Sequence, residues 1–428
     1  MRPETRTLTV LSIVVFLVMT GISIVVPVVP LLGKSFGVSE FLIGVLVGGL
    51  AGARVFLDLP SGVLGDRFGN RRMMMTGLGI VAVTSLLAVI PGRMDPGIVP
   101  YVLLVVIRIS EGVGSAFYVT SSLAALARSA PQGRRGSHMS VYVSALLTGQ
   151  IAGPVIGGAA AAVGGLTAPF VVYGMLAVAG LVMVAAFLPR SVAVGEARGI
   201  DWAGARAILR DRSFLIVNLG TMAAFFIRAG IISTVLPFHT AHVLGIPLDS
   251  PENQAKVAGY IGLLITTIAL ASLVTMWPAG RWSDRRGRKA PFVVSLVLAG
   301  LTAPFIYFAK DWWTLVAVMV VYGLVLGLHG PLASWSSDLV PPQQMGVGMG
   351  LYRTISDLGF LLGPLVMGAV LQLVATDTDV TMWPFLIAGG YLVVSGLLLL
   401  AADDPVGRRL RAERRATATL GTVTPARK

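Results

Sequence analysis

Apolar runs long enough to cross a lipid bilayer follow one another through almost the whole chain. A spanning helix needs about 20 mostly apolar residues. Such runs occur near residues 8–31, 41–64, 73–91, 99–126, 138–163, 167–188, 213–239, 257–279, 290–309, 312–337, 346–373 and 381–402. Only 12% of the residues are charged, against about a quarter in soluble domains. The sequence therefore predicts an all-α membrane protein with twelve transmembrane helices, numbered here as the first to twelfth spans.

One short charged segment occurs twice, separated by nearly half the chain. The first copy consists of Gly62, Asp66, Arg67, Gly69 and Arg71. The second copy follows 218 positions later in a chain of 428 residues and consists of Gly280, Asp284, Arg285, Gly287 and Lys289. Each copy, called a charged turn below, lies between two apolar runs. The duplication predicts two pseudo-repeated six-helix halves, an organisation typical of secondary transporters.

The remaining segments complete the predicted domain organisation. The N-terminal six-helix bundle covers residues 1–189 and the C-terminal bundle covers 213–402. Between them, residues 190–212 carry five arginines together with Trp202, Ile208 and Leu209, which predicts a cytoplasmic amphipathic linker lying at the membrane surface. Residues 403–428 form a basic cytoplasmic tail, which we expect to be mobile and close to anionic lipid headgroups.

The distribution of basic residues predicts the orientation in the membrane. Of the 33 lysines and arginines, 25 fall in the segments that twelve spans place on the side of the two termini, and four fall in the opposite turns. The positive-inside rule then predicts a multi-pass protein of the cell membrane with both termini in the cytoplasm. Because the net charge of +13 is concentrated in these turns, it does not indicate binding to nucleic acid.

The residue inventory disfavours an enzyme or an ATP-driven pump. The chain has no cysteine and only four scattered histidines, so it offers no thiolate metal site, no cysteine nucleophile and no catalytic cluster. It also lacks a Walker glycine loop for ATP. We expect no metal and no cofactor, and the predicted partners are the lipid bilayer, a small-molecule substrate and protons, with the protein acting as a monomer.

The charged turns resemble the signature of the major facilitator superfamily between its second and third helices. Two further segments fit the same family. They are Arg108, Gly112 and Gly114 in the fourth span, and Gly149, Gly153, Pro154, Gly157 and Gly158 in the fifth. The fifth-span segment is similar to the antiporter signature of the drug:proton antiporter branch. The resemblance implies alternating access and proton-coupled export of drug-like or natural-product compounds.

The resemblance also implies roles for these motifs. In the family, the charged turn latches the two halves together, with its acid near the start of the eleventh helix, so Asp66 is the predicted latch and Asp284 its weaker twin. The alternative is a turn that serves only membrane topology. In the fifth span, glycines four residues apart share one helical face, and Pro154 permits a kink. This motif predicts a gating hinge, the alternative being static close packing of helices.

Charges within the apolar runs are the strongest candidates for function, because an ionisable group at membrane depth is costly unless it is paired or hydrated. Three pairs share a helical face: Arg54 with Asp58, Arg108 with Glu111, and Arg353 with Asp357. Asp58 and Arg353 lie at a similar depth, and the second and eleventh helices are neighbours in the family. We therefore expect an ion pair between the halves, the alternative being pairs confined to single helices.

Proton coupling requires a carboxylate whose protonation changes during the transport cycle. Glu111 beside Arg108 is the first candidate and Asp58 the second, with Asp357 as a further possibility. The antiporter branch often carries an acid in its first helix, whereas residues 8–31 contain none. This departure leaves uptake of a small metabolite, coupled to protons, as the alternative function.

A substrate cavity is expected near the bilayer midplane between the halves. Its candidate lining residues are Thr20, Phe117, Tyr118, Phe226, Arg228, Tyr322, His329 and Trp335. Aromatic side chains with few fixed charges suit amphipathic organic compounds. His329 is predicted either to titrate or to serve as a structural hydrogen-bonding residue.

Overall fold

The computed structural model describes residues 3–130, 135–189, 201–329, 332–374 and 380–421, and in these ranges all regular structure is helical. The α-helices are Pro3–Ile24, Val29–Ser35, Glu40–Phe68, Asn70–Leu87, Ile98–Ser129, Arg135–Gly164, Ala168–Phe187, Trp202–Arg210, Arg212–Ile227, Leu236–Leu244, Pro251–Arg286, Lys289–Thr302, Trp312–Gly327, Leu332–Asp338, Met345–Val374, Trp383–Leu398 and Pro405–Gly421. A π-helix covers Arg228–Val235, and short 3₁₀ turns cover Pro91–Arg93, Ala303–Ile306, Pro342–Gln344 and Leu399–Ala401.

The predicted spans correspond to these helices. In the described residues, eleven helical stretches are long and apolar enough to cross a membrane, and the tenth span contributes the shorter apolar helix Trp312–Gly327. These helices confirm the prediction of an all-α membrane protein with twelve spans.

Two of the spans that the sequence pattern predicted as continuous are divided. The first span turns after Ile24 and resumes as Val29–Ser35, around Pro27 and Pro30. The tenth span ends at Gly327 and resumes as Leu332–Asp338. Proline lacks the amide hydrogen that continues a helix and disfavours helical geometry in the residue before it. Pro27 and Pro30 therefore account for the turn in the first span, while Pro331, which lies between the two parts of the tenth span in the sequence, is outside the described residues.

The two halves contact each other along two matched pairs of helices. Within the N-terminal half, the first span packs against the fifth and sixth, and the fourth packs against the second and third. The C-terminal half repeats this pattern, with the seventh span against the eleventh and the eighth against the tenth. Between the halves, the second span lies along the eleventh and the fifth along the eighth. The two pairs are equivalent, because the second span corresponds to the eighth and the fifth to the eleventh in the repeat.

The linker and tail contain helices. In Trp202–Arg210, Asp201 accepts a hydrogen bond from Gly204 at 2.8 Å as the N-cap. Ala205 and Ile208 pack against Val340 and Leu351, while Trp202 is exposed, so this helix is amphipathic as predicted. Within the tail, Pro405–Gly421 is helical, and its mobility stays a prediction. Linker residues 190–200 and tail residues 422–428 lie outside the described residues.

Candidate functional site

Two ion pairs cross from one half to the other between the second and eleventh spans. Arg353 donates from Nε to Oδ2 of Asp58 at 3.2 Å, which is the contact predicted from their depth. Arg54 Nη2 lies 3.0 Å from Asp357 Oδ2. Both carboxylate side chains are only 3% exposed, while the two arginines keep 20% and 25%. Each acid is thus paired with the arginine of the opposite helix.

Glycines bring the two helices close enough for these pairs. A Cβ atom added to Gly44 would overlap the backbone carbonyl of Pro364, and one added to Gly48 would lie 3.0 Å from the carbonyl oxygen of Leu361. Close backbone approach at small residues is the usual means of packing helices in a membrane. In the second span, Arg54 and Asp58 follow these glycines by about two to four turns. Removal of either partner of a pair would leave a buried charge unpaired.

A second buried pair lies inside the N-terminal half. Arg108 Nη1 donates to Glu111 Oε2 at 2.6 Å, and the Ser85 hydroxyl donates to Glu111 Oε1 at 2.6 Å. Glu111 has no exposed surface. The buried Tyr173 lies within electrostatic range of Glu111, Arg108 and Arg54. The ionisable groups therefore continue from the fourth span to the second and on to the eleventh.

The charged turns, which define what we call the basic end of the bundle, form ion pairs of their own. Arg128 at the end of the fourth span donates to Asp66 Oδ1 at 2.8 Å. In the second turn, Arg288 donates to Asp338 Oδ2 at 2.9 Å and to Asp284 Oδ1 at 2.6 Å. The partly buried Arg288 has its pKa raised, because these two hydrogen-bonded carboxylates outweigh the opposing effect of burial.

One partner in each turn occupies an equivalent position with the opposite charge, Arg128 in the first half and Asp338 in the second. Asp338 stands 210 positions after Arg128, the same offset that relates the glycine motifs of the fifth and eleventh spans. The observed partner of Asp66 belongs to its own half, so a latch across the halves stays a prediction for Asp66, Asp284, Arg67 and Arg285.

The other members of the first charged turn shape its backbone. Gly69 ends the second span with a φ of 89°, and its counterpart Gly287 ends the eighth with a φ of 101°. L-residues with side chains rarely adopt this conformation. Arg71 donates to the carbonyl of Ala185 at 2.7 Å, and Gly62 lies beside Thr120.

The fifth-span glycines are positions of close helix packing. Added Cβ atoms at Gly149 and Gly153 would lie 3.0 Å from Thr20 N and 2.7 Å from Thr20 O, respectively, in the first span. At Gly157 the added atom would overlap the carbonyl of Ile24. Gly158 instead faces the other half, where an added Cβ atom would lie 2.9 Å from the carbonyl oxygen of Ala258.

The eleventh span repeats this arrangement. Gly359 and Gly363 pack on the backbone of the seventh span, and Gly368 would place a Cβ atom 2.6 Å from the carbonyl oxygen of Glu40 in the second. Gly158 and Gly368 are thus equivalent contacts between halves, remote from the basic end. Packing is observed at Pro154 too, whose carbonyl abuts Gly262. Hinge motion stays a prediction.

The predicted cavity residues divide into exposed and enclosed side chains. Arg228 is exposed and Phe117 is partly exposed. Tyr118, Tyr322 and Trp335 have no exposed surface and pack in the hydrophobic clusters of their own halves. These three do not line a cavity in this conformation, because apolar contacts within each bundle enclose their rings.

Two further candidates are buried, and a third is held by a hydrogen bond. Thr20 is 3% exposed and donates to the carbonyl of Phe16, and Phe226 is 7% exposed. His329 Nδ1 lies 2.6 Å from the Ser295 hydroxyl. This hydrogen bond between the ninth and tenth spans favours the structural interpretation of His329.

Sequence reasoning missed several partners of the charged residues. Ser85 and Tyr173 border the Glu111 pair, and Arg128 and Asp338 neutralise the charged turns. Serine and tyrosine are common in apolar spans, so no signal distinguished the first two. Arg128 and Asp338 do carry one, since each ends an apolar run on the same side as a charged turn.

Comparison with known proteins decides the family. The model of the Major Facilitator Superfamily matches residues 11–259 and 257–427. The chain belongs to the major facilitator superfamily. Membership agrees with the crossed packing of two six-helix halves and with the duplicated charged turns.

Several relatives of this major facilitator protein carry names from drug resistance. Multidrug resistance protein 2 of Bacillus subtilis is 23% identical over 382 residues, covering 89% of this chain and 91% of the relative. Quinolone resistance protein NorA of Staphylococcus aureus is 22% identical over 359 residues, covering 83% and 87%. The crystal structure of the nucleoside transporter NupG superposes with a TM-score of 0.73 at 15% identity, covering 94% of this chain and 99% of that one. The last comparison establishes the fold, and together they identify a membrane transporter of this superfamily.

Proposed function

We propose that this protein is a secondary active transporter that exports drug-like or natural-product small molecules in exchange for protons by alternating access. The observation that carries the proposal is the crossed arrangement of Asp58 with Arg353 and Asp357 with Arg54. Four charges are held at membrane depth between two halves that must separate for access to alternate. A carboxylate that loses its arginine there becomes a site for a proton.

The coupling step follows from the chemistry of these pairs. Separating the second and eleventh spans at the basic end removes Arg353 from Asp58 and Arg54 from Asp357. Each exposed carboxylate then takes a proton on an Oδ atom, which removes the cost of an unpaired buried charge. Return of the arginine displaces the proton, so one conformation loads protons and the other releases them.

Glu111 is a second proton site in this proposal. Its carboxylate is held by Arg108 and Ser85 and is enclosed in the observed conformation. Glu111 and Arg54 both act electrostatically on the buried Tyr173. Displacement of Arg108 would free Glu111 to bind the proton.

The export direction is supported by relatives and by motif. Two relatives are named for resistance to multiple drugs and to quinolones, which fits removal of foreign compounds from the cell. The glycine and proline motif of the fifth span resembles the antiporter signature. We propose in addition that both termini are cytoplasmic, that residues 190–212 link the two bundles at the membrane surface, and that the protein acts as a monomer in the cell membrane.

Proton-coupled uptake of a small metabolite is the second candidate. The specific observation in its favour is the absence of an acidic residue from residues 8–31 of the sequence, where the antiporter branch often has one. Both candidates use the same halves and the same crossed pairs, and they differ in whether proton and substrate move in opposite directions or together.

Transport by purified full-length protein in proteoliposomes tests the proposal. Vesicles of known protein orientation are given pH gradients of either sign and a panel of amphipathic compounds. Export predicts that inside-out vesicles with an acidic lumen accumulate substrate, and that a protonophore abolishes accumulation. Accumulation by right-side-out vesicles in response to an acidic exterior would instead establish uptake.

A further inference from the structure

Arg228 in the seventh span is left over when the intramembrane charges of the described residues are paired. The ionisable arginine and acidic residues at membrane depth are Arg54, Arg108, Arg228, Arg353, Asp58, Glu111 and Asp357. Three ion pairs account for six of them. Among the residues that the structure describes, no carboxylate lies within ion-pair distance of Arg228, and none acts on it electrostatically.

The position of Arg228 combines depth with accessibility. Its side chain is exposed, although the residue stands at the middle of the helical stretch Arg212–Leu244. The arginine therefore combines an accessible side chain with a position near the middle of a span. Its neighbours along the chain, Ile227 and Ala229, are buried. The helix segment that begins at Arg228 contacts the second span of the other half as well as the eleventh.

The backbone at Arg228 departs from the α-helix. The π-helix Arg228–Val235 begins here, and the hydroxyl of Thr234 donates to the carbonyl of Ala229 at 3.0 Å across the wider turn. π-helical turns are rare and occur frequently at functional sites. One turn earlier, the partly exposed ring of Phe225 stands 4.9 Å from that of Phe360 in the eleventh span. Residues three apart on a helix are neighbours, so Phe225 and Arg228 share one face of the seventh span.

We propose that Arg228 binds the anionic group of the transported compound, so that the substrates are amphipathic organic anions bearing a carboxylate, sulfonate or phosphate. This inference rests on the proposed transport function. An unpaired guanidinium at membrane depth is costly unless an anion neutralises it or water hydrates it. Its planar donors match the two oxygens of such a group, and the phenylalanine rings accept the apolar part.

Binding of three probes with one ring system tests the charge preference. The probes are 2-naphthoate, the neutral 2-naphthamide and the cationic 2-naphthylmethylammonium, titrated calorimetrically into purified full-length protein. The wild type is expected to bind the carboxylate about tenfold or more tightly than the amide, with the ammonium weakest. R228Q is expected to abolish the advantage of the carboxylate, R228K to retain most of it, and R228E to favour the ammonium.

A matched control separates this role from a general loss of positive charge. R210Q removes an exposed arginine from the linker helix and is expected to leave all three affinities unchanged. Size-exclusion profiles establish that each variant is folded. The proposal is overturned if the wild type binds naphthoate no more tightly than naphthamide, including binding of neither, or if folded R228Q keeps the preference.

The transport assay distinguishes failure of this inference from failure of the proposed function. If a pH gradient drives accumulation of naphthamide as well as naphthoate, with no difference between wild type and R228Q, proton-coupled transport stands and the anion site is overturned. If naphthoate binds through Arg228 but no gradient of either sign drives its movement, the anion site stands and proton coupling fails.

Discussion

Arg353 of the eleventh span donates a hydrogen bond to Asp58 of the second span across the boundary between the two halves, at 3.2 Å. Asp357, four residues after Arg353, is paired instead with Arg54, four residues before Asp58. Each arginine thus pairs with the acid of the other half and not with the acid four residues away on its own helix. Separation of the halves at this depth has to break both pairs.

Exchange of the charges at the first pair is the direct test of this geometry. D58R and R353D are each expected to lower transport at least tenfold and to destabilise the protein by about 3 kcal/mol, because each leaves like charges together. The double variant D58R/R353D is expected to recover stability and a substantial part of transport. Transport in proteoliposomes and apparent melting temperature in detergent measure the two effects.

The control exchanges charges within one helix. R54D/D58R keeps the composition of the second span but places an arginine opposite Arg353 and an aspartate opposite Asp357. We expect no recovery relative to D58R. Recovery by this variant and not by D58R/R353D would show that pairs within single helices matter and that the contact between halves does not.

Substitution of Glu111 separates coupling from translocation. E111Q is expected to abolish accumulation driven by a pH gradient while leaving exchange of labelled for unlabelled substrate within about threefold of the wild type, since a neutral amide cannot gain or lose a proton there. S85A removes only a hydrogen bond from the carboxylate and serves as the matched control. Equal loss of both transport modes in E111Q would assign Glu111 to structure.

Glycine contacts in the fifth span predict unequal effects of alanine. G157A is expected to destabilise the protein by about 1–3 kcal/mol, because its methyl group would meet the carbonyl of Ile24. G79A, in the third span, meets nothing within 4 Å and is expected to be neutral or slightly stabilising. Thermal unfolding in detergent compares them, and equal melting temperatures would contradict the packing role.

The ion pair of Asp66 with Arg128 provides a test of the latch. The exchange variant D66R/R128D keeps a pair within the N-terminal half and is expected to restore the stability that D66R loses. If Asp66 also latches the halves, transport stays low in the exchange variant while stability recovers. Recovery of both properties would limit Asp66 to its own half.

The sequence predicted the helices, and together with the helix neighbours implied by the family resemblance it also predicted the contact of Asp58 with Arg353. Apolar runs of fixed length and a repeated charged turn determine the architecture, and helical rise places both residues at one depth. The crossed pairing of Arg54 with Asp357 was not determined by that reasoning. An arginine four residues from an acid can pair along its own helix or across an interface, and the choice depends on which faces meet.

The predicted cavity was less accurate, for a related reason. Tyr322 and Trp335 have the residue types expected of a binding site, but they fill the core of the C-terminal half. When a helix is apolar on all sides, its sequence has no polar stripe to mark one face. The sequence therefore does not reveal which side chains point toward a cavity and which point into the core. Arg228 and Phe117 keep exposed surface, and their place in a cavity stays a prediction.

Two distances between the halves, measured together, test alternating access most directly. The chain lacks cysteine, so spin labels can be placed at Arg72 and Arg286 for the basic end and at Asp95 and Asp249 for the opposite end, all of which are exposed. Neutralising both crossed pairs with D58N/D357N is predicted to enlarge the population with a long basic-end distance and a short opposite-end distance. Unchanged distributions at both ends, or lengthening of both together, would contradict the account.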